Sequence, residues 1–156
     1  MDKTNVMRLL DGMGIPYTPR SYPAGDSVPS GLEAARLMGE DPSHVFKTLV
    51  TQGASRRYYV FVIPVGEELS LKKAAAAVGE KSIAMLKSKD LLPLTGYVHG
   101  GCSPIGMKKP FPTAVDETVE LCDTIIFSAG KIGYQVEMAP ADLQRAVPCT
   151  LADLTA

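Results

Sequence analysis

The chain is poor in the residues that build metal and redox centres. It has three cysteines and two histidines in 156 residues. Cys102, Cys122 and Cys149 form no CxxC pair. A chain this long does not need disulfide staples, so its few thiols fit a reducing cytosol. His44 and His99 lie far apart in sequence, which argues against a Cys/His zinc site. Net positive charge is also missing: 16 Lys and Arg stand against 17 Asp and Glu. That excludes a globally basic nucleic-acid coat, but not a local basic patch. No apolar run reaches the roughly 18 residues of a membrane span. The opening Met-Asp-Lys-Thr-Asn-Val-Met-Arg lacks the apolar stretch of a signal peptide. GxGxxG, Walker A, HExxH and GxSxG patterns are absent, as are internal repeats. The expectation is one domain over 1–156, cytoplasmic, with no metal, cofactor or membrane.

The totals that are present are ordinary for a globular protein, with 46% apolar and 21% charged residues. Val6, Leu9, Leu10 and Met13 repeat at helical spacing, and Gly14 suits the following left-handed position. Residues 17–22 read as a short strand, and 23–30 as a loop rich in Pro, Gly, Asp and Ser. Ser30 and Glu33 have capping-box spacing for a helix over 32–38. Residues 45–51 and 58–65 are β-branched, aromatic runs separated by a turn, which predicts an antiparallel hairpin. Ser70 begins a helix over 71–78 that Gly79 ends. Short strands are expected at 82–86, 113–116, 124–127 and 134–138, a helical turn at 89–92, and a tight turn at 128–131. Pro140 suits the first turn of a last helix over 141–147. This order is not a regular βαβ alternation. It predicts an α+β fold, a mixed and mainly antiparallel sheet surrounded by helices.

Two stretches carry the chemistry. The loop over 95–110 holds four of the fourteen glycines and two prolines. Gly100-Gly101 permits close approach to the backbone, and Pro104 restricts Ser103 before it. Such a loop can turn backbone N–H groups toward an anion or a developing oxyanion. Lys108 and Lys109 could then meet a phosphate. It could equally be a tight hairpin beside a solvated lysine pair. The second stretch is 45–50, where Lys47 interrupts an apolar strand. Alternation sets Lys47 on the face of Val45 and Leu49, which favours a pocket over an open surface. A partly desolvated lysine donates to carbonyl or phosphate oxygens and its pKa falls readily. The alternative is an edge lysine that blocks aggregation.

No protein nucleophile stands out. Cys102 follows His99 by three residues, but no third group is evident to orient a Cys–His pair. Ser103 precedes a proline outside any nucleophile motif. Ser128 could bind a ligand or satisfy its own turn.

Phe46-Lys47-Thr48-Leu49, Leu71-Lys72-Lys73-Ala74, Thr95-Gly96-Tyr97, Gly100-Gly101-Cys102-Ser103-Pro104-Ile105-Gly106 and Ser128-Ala129-Gly130-Lys131 follow one another along the chain. In this order they resemble the YbaK/EbsC family, free-standing relatives of the editing domain of bacterial prolyl-tRNA synthetases. The resemblance runs from about residue 10 to residue 147. It implies a partly barrel-like mixed sheet and a deacylase acting in trans on Cys-tRNA(Pro), and also on Cys-tRNA(Cys). Lys47 matches the essential lysine of the family. Tyr22, Gly100, Gly101, Cys102, Ser103, Pro104, Ser128 and Gln135 match substrate-binding positions. Relatives often carry Ile at the position of Cys102, so that thiol is not a family nucleophile. Some carry Asp near Gln135, which as an amide cannot act as a base. The implied mechanism uses the thiol of the substrate, which attacks its own carbonyl to give a cyclic thioester. The implied partners are tRNA(Pro) bearing cysteine and prolyl-tRNA synthetase. Rival readings are an Ala-tRNA(Pro) hydrolase that activates water, and a non-catalytic adaptor for tRNA or the synthetase.

Overall fold

Serine and threonine caps start the first helices of the computed structural model, which describes residues 2–156. Thr4 accepts from Met7 N before α1 (Asn5–Met13), and Ser30 accepts from Glu33 N before α2 (Gly31–Met38). Ser70 accepts from Lys73 N before α3 (Leu71–Val78). Each cap satisfies a backbone donor that the helix leaves unpaired. Only half of the predicted box forms at α2, because the Glu33 carboxylate turns to Arg36 instead. Gly14, Gly39 and Gly79 close the three helices in the left-handed region. The helical turn expected at 89–92 is longer, forming α4 (Ser88–Thr95). The last helix, α5, spans Pro140–Ala146 with Pro140 at its start.

The strands are β1 (Thr18–Ser21), β2 (Phe46–Gly53), β3 (Tyr58–Pro64), β4 (Ile83–Met85), β5 (Thr113–Asp116), β6 (Ile125–Lys131), β7 (Tyr134–Met138) and β8 (Thr150–Ala152). They form two sheets, ordered β1-β7-β6 and β4-β2-β3-β5-β8. The predicted hairpin is present, with Phe46 opposite Pro64 and Gln52 opposite Tyr58. β5 joins β3 in parallel, and β8 joins β5 in parallel. A bridge between Val45 and Ile126 brings the two sheets together without closing a barrel.

One expectation needs correction, and one strand was not foreseen. Residues 128–131 are not a turn but the end of β6, distorted by a register shift between Ser128 and Lys131. Gly130 sits there at φ +93, and a Cβ on it would come within 3.0 Å of the Tyr97 ring and 3.1 Å of Val6. The turn lies instead at Ile132-Gly133, after β6 and before β7. β8 was not expected either, because Thr150-Leu151-Ala152 is too short to show a period. It is held from outside itself: the buried Asp116 carboxylate accepts from Leu154 N at 2.9 Å and from Thr118 N at 3.2 Å.

Burial divides β2 and β3 by face. Phe46, Val50, Val60 and Val62 pack with Phe127, Val136 and Leu10 in the main core. Phe61 and Ile63 turn the other way, against Ala74 and Ala75 of α3. A third cluster joins Ala35 of α2 to Val45, Val65 and Ile126, beside the junction of the sheets.

Candidate active site

The site arises where β2 lacks a neighbour. β3 covers one edge of the strand along its whole length, whereas β4 pairs with the other edge only at Thr51–Gly53. The Val45–Ile126 bridge touches that second edge at its start. Between these two points the edge is open. In an antiparallel pair, alternate residues turn N–H and C=O toward the partner. Val65 N donates to Val45 O at 2.9 Å, so the odd residues of β2 face β3 and the even ones face away. Val50 follows this rule, since its carbonyl accepts from Leu86 N at 3.1 Å. By the same register Thr48 turns its backbone N–H and C=O toward the open edge.

A cavity of about 340 Å³ occupies this gap. Tyr22, Lys47, Gly100, Cys102, Ser128 and Gln135 all line it, from five separate stretches of chain. Ser128 and Gln135 are cross-strand partners on β6 and β7, and both are buried. Ser128 Oγ accepts from Gly130 N at 3.1 Å, which leaves its proton for another acceptor. Gly100 has φ +87, and a Cβ there would lie 2.3 Å from Val28 Cγ1. The loop before α2 thus lies directly over Gly100, and only glycine fits.

Gly101, Ser103 and Pro104 are not among the lining residues. Gly101 N is engaged by Val98 O at 3.0 Å, and the residue backs onto Ile132. It therefore has no free N–H for an oxyanion. Ser103 is fully buried, with Oγ accepting from Ile105 N at 3.3 Å. Pro104 lines a different cleft, with Met107 and Phe111. These three residues brace the loop from behind.

Lys47 is half-buried, and Nζ reaches Val65 O only at 3.5 Å, the outer limit of a hydrogen bond. Burial pushes its pKa down, while Glu68 and Glu67 pull it partly back. Among the described residues neither carboxylate pairs with it within 4.0 Å. A desolvated ammonium with one long hydrogen bond has donors to spare for a ligand oxygen. Cys102 differs: burial pushes its thiol up to about 12. At neutral pH it is a neutral wall group, not a thiolate.

Residues that were not singled out as substrate contacts also line the cavity. Met85, Leu86 and Leu91 wall one side, and His99 sits at the glycine loop. Thr48 also lines the cavity, and its Oγ1 is buried with no hydrogen-bond partner among the described residues. A buried orphan of this kind costs free energy unless something satisfies it. No group of three His, Cys, Asp or Glu side chains among the described residues is placed to hold a metal ion.

A half-buried lysine, an apolar wall and no activated protein nucleophile suit the handling of a small activated carbonyl compound. The comparisons agree in kind. Residues 27–146 match the aminoacyl-tRNA editing domain family, and the chain belongs to it. The chain is 42% identical over 153 residues to an Enterococcus faecalis protein named "Putative Cys-tRNA(Pro)/Cys-tRNA(Cys) deacylase EbsC", covering 98% of this chain and 93% of that protein. It is 28% identical over 102 residues to a proline–tRNA ligase of Shouchella clausii, covering 65% of this chain and 18% of the ligase. A solved structure titled as "a putative trans-editing enzyme for prolyl tRNA synthetase" has the same fold, with a TM-score of 0.84, 24% identity and 99% of each chain covered. No helix among the described residues is long and apolar enough to cross a membrane.

Proposed function

We propose that the protein is a trans-editing deacylase that cleaves the ester of Cys-tRNA(Pro), and secondarily that of Cys-tRNA(Cys). The observation that carries this reading is the half-buried Lys47 in a cavity without a protein nucleophile. The likeness to the Enterococcus protein supports the cysteinyl substrate. The cavity, at about 340 Å³, is within the range for small-molecule sites and has room for an aminoacyl group with its ribose. Cysteine is close to proline in size, so a synthetase site built on apolar fit rejects it poorly and a second site must remove it.

In this reading the Lys47 ammonium polarises the ester carbonyl. The Thr48 N–H at the open edge of β2 is a second donor, in place of the engaged Gly101 N–H. The thiol of the substrate supplies the nucleophile, since a free thiol with a pKa of about 8.5 is already partly ionised near neutrality. Its sulfur bonds to the carbonyl carbon, the ester C–O bond breaks, and the thiol proton ends on the ribose oxygen. The products are free tRNA and a four-membered cyclic thioester, which water opens afterwards. Ser128 and Gln135 orient the substrate amine, and Gln135 takes no proton. Prolyl-tRNA synthetase is the partner that supplies mischarged tRNA.

The test is release of labelled amino acid from Cys-tRNA(Pro), Ala-tRNA(Pro) and Pro-tRNA(Pro). Cleavage confined to the cysteinyl ester is expected. Preferred cleavage of the alanyl ester would turn the reading to a water-activating hydrolase. Binding without any cleavage would turn it to an adaptor.

A further inference from the structure

The catalytic cavity has a neighbour that shares its wall. Met85 and Leu86 line both the cavity and a second groove, which runs over β4 between the hairpin at Gln52–Ala54 and the start of α4 at Lys87–Asp90. Ser88 and Leu91 face the cavity, while Lys87 and Lys89 face the groove, so α4 divides the two.

The groove is cationic. Lys87 and Lys89 line it, and Lys81 lies immediately before Ser82 in its wall. Arg56 stands at its far end: its backbone N donates to Gly53 O, and its carbonyl accepts from Gln52 Nε2. All four side chains belong to exposed residues, and none pairs with a carboxylate within 4.0 Å among the described residues. The one acid lining the groove is Asp90. The nearby Glu80 is committed, accepting from Tyr59 Oη at 2.6 Å and from Ser55 N at 3.1 Å. Those bonds fasten the hairpin tip and fix the position of Arg56. Arg56 is also the one non-glycine residue with positive φ among the described residues.

We propose that this groove carries the phosphodiester backbone of the single-stranded 3′ end of the RNA, immediately before the esterified nucleotide. The assignment rests on the editing reading above. At about 340 Å³ the cavity has room for an aminoacyl group and a ribose but not for a polynucleotide, so the chain attached to that ribose must leave over its rim, where the exposed Met85 lines both spaces. The groove begins at the shared wall of Met85 and Leu86 and presents cations at successive points along its length. Two lysines on one wall and Lys81 and Arg56 beyond suit consecutive phosphates. Its walls hold no exposed aromatic ring on which bases would stack, so the groove tracks the backbone and not the sequence.

The experiment compares two substrates, Cys-tRNA(Pro) and the cysteinyl ester of adenosine, which carries no phosphate. The variant is Lys87→Glu/Lys89→Glu, with Lys87→Gln/Lys89→Gln as a milder version should the reversal disturb folding. The expected result is a loss of kcat/KM on the tRNA ester about tenfold greater than on the adenosine ester. The slope of log kcat/KM against log salt should also become shallower, by about 1.4 for two lost single-strand contacts. A Lys108→Glu/Lys109→Glu variant makes the same charge change at another basic pair and should lose less. Equal losses on both substrates, or an equal loss from the Lys108/Lys109 variant, would overturn the assignment. If the unaltered protein cleaves neither ester, the editing reading fails and the groove assignment with it. If it cleaves both and the groove variant keeps both, the groove assignment alone fails.

Discussion

Lys47 Nζ lies 3.5 Å from the carbonyl oxygen of Val65, and this long contact is the one hydrogen bond its side chain makes among the described residues. The ammonium is therefore held by strand geometry rather than by a carboxylate. Lys47→Ala and Lys47→Met should abolish cleavage yet keep a cooperative fold, since neither leaves a buried charge unpaired. A lost donor to the developing oxyanion corresponds to about 3–4 kcal/mol, or roughly 10²–10³ in rate. Lys47→Arg should also be poor, because a planar fork does not replace a compact ammonium. An active Lys47→Ala would remove this residue from the mechanism.

The same lysine has a pH signature. Burial lowers its pKa below the usual 10.5. Between the folded and unfolded values the unfolded chain binds more protons, so stability rises with pH across that window and the cost of the buried charge is relieved. Lys47→Met should flatten this rise. Urea unfolding midpoints of both proteins, followed as the pH rises toward 10.5, measure it, and identical slopes would contradict the burial argument.

Gly31 packs directly against Val65. A Cβ on Gly31 would lie 2.6 Å from Val65 Cγ1 and 2.7 Å from Val65 Cβ. Gly31→Ala must therefore displace Val65, whose carbonyl meets Lys47. Overpacking of this kind costs about 1–3 kcal/mol. The expected outcome is lower stability together with a lower single-turnover rate, although Gly31 offers no side chain for chemistry. Full activity at reduced stability would show that Lys47 does not depend on Val65.

Much of this cavity is legible in the sequence because its lining residues break local patterns. Lys47 in an apolar strand, and Gly100 in a loop dense with glycine and proline, are anomalies that period and composition expose. Tyr22, Ser128 and Gln135 reach the same cavity only through the pairing of β1, β7 and β6, which no local window contains. The resemblance to a family supplied Tyr22 and Gln135, and Ser128 stood out in the sequence only as a turn residue that could bind a ligand. The reading of 128–131 as a turn failed because Ser-Ala-Gly-Lys has turn composition, whereas Gly130 serves a bulge beneath Tyr97. Strand β5 was legible at 113–116, but its parallel pairing and the whole of β8 were not, because these come from Asp116 and from neighbours far along the chain. Thr48 was overlooked because threonine is an ordinary strand residue. Only the folded structure shows its hydroxyl buried without a partner among the described residues.

That orphan gives a prediction of mixed sign. Thr48→Val removes a buried hydroxyl that has no partner among the described residues. The free protein should be unchanged or more stable, by up to about 1 kcal/mol, since a polar group buried without a hydrogen bond is lost. Substrate binding should weaken if a ligand satisfies that oxygen, so KM for Cys-tRNA(Pro) should rise. Thermal unfolding and steady-state kinetics on one preparation separate the two effects. A destabilised Thr48→Val with normal KM would show that Oγ1 has a structural role.

Two thiols meet in this cavity when a cysteinyl ester is bound, and the question is which of them reacts. Burial holds Cys102 near a pKa of about 12. At pH 7 only about one molecule in 10⁵ would carry its thiolate. The substrate thiol enters from water, where a free thiol has a pKa of about 8.5 and a far larger ionised fraction. Cys102→Ala and Cys102→Ser should thus retain most of the single-turnover rate on Cys-tRNA(Pro), and Cys102 should resist alkylation in the folded protein. Removing the other thiol should have the opposite effect. Ala-tRNA(Pro) presents a similar carbonyl without sulfur, so if water were the nucleophile the two esters would react at similar rates once bound. If the substrate thiol attacks, the alanyl ester lacks the reacting atom and should be cleaved far more slowly at saturating enzyme. Single-turnover measurements keep binding apart from chemistry. Equal rates for the two esters would eliminate the substrate-assisted route, and an inactive but folded Cys102→Ala would return the nucleophile to the protein.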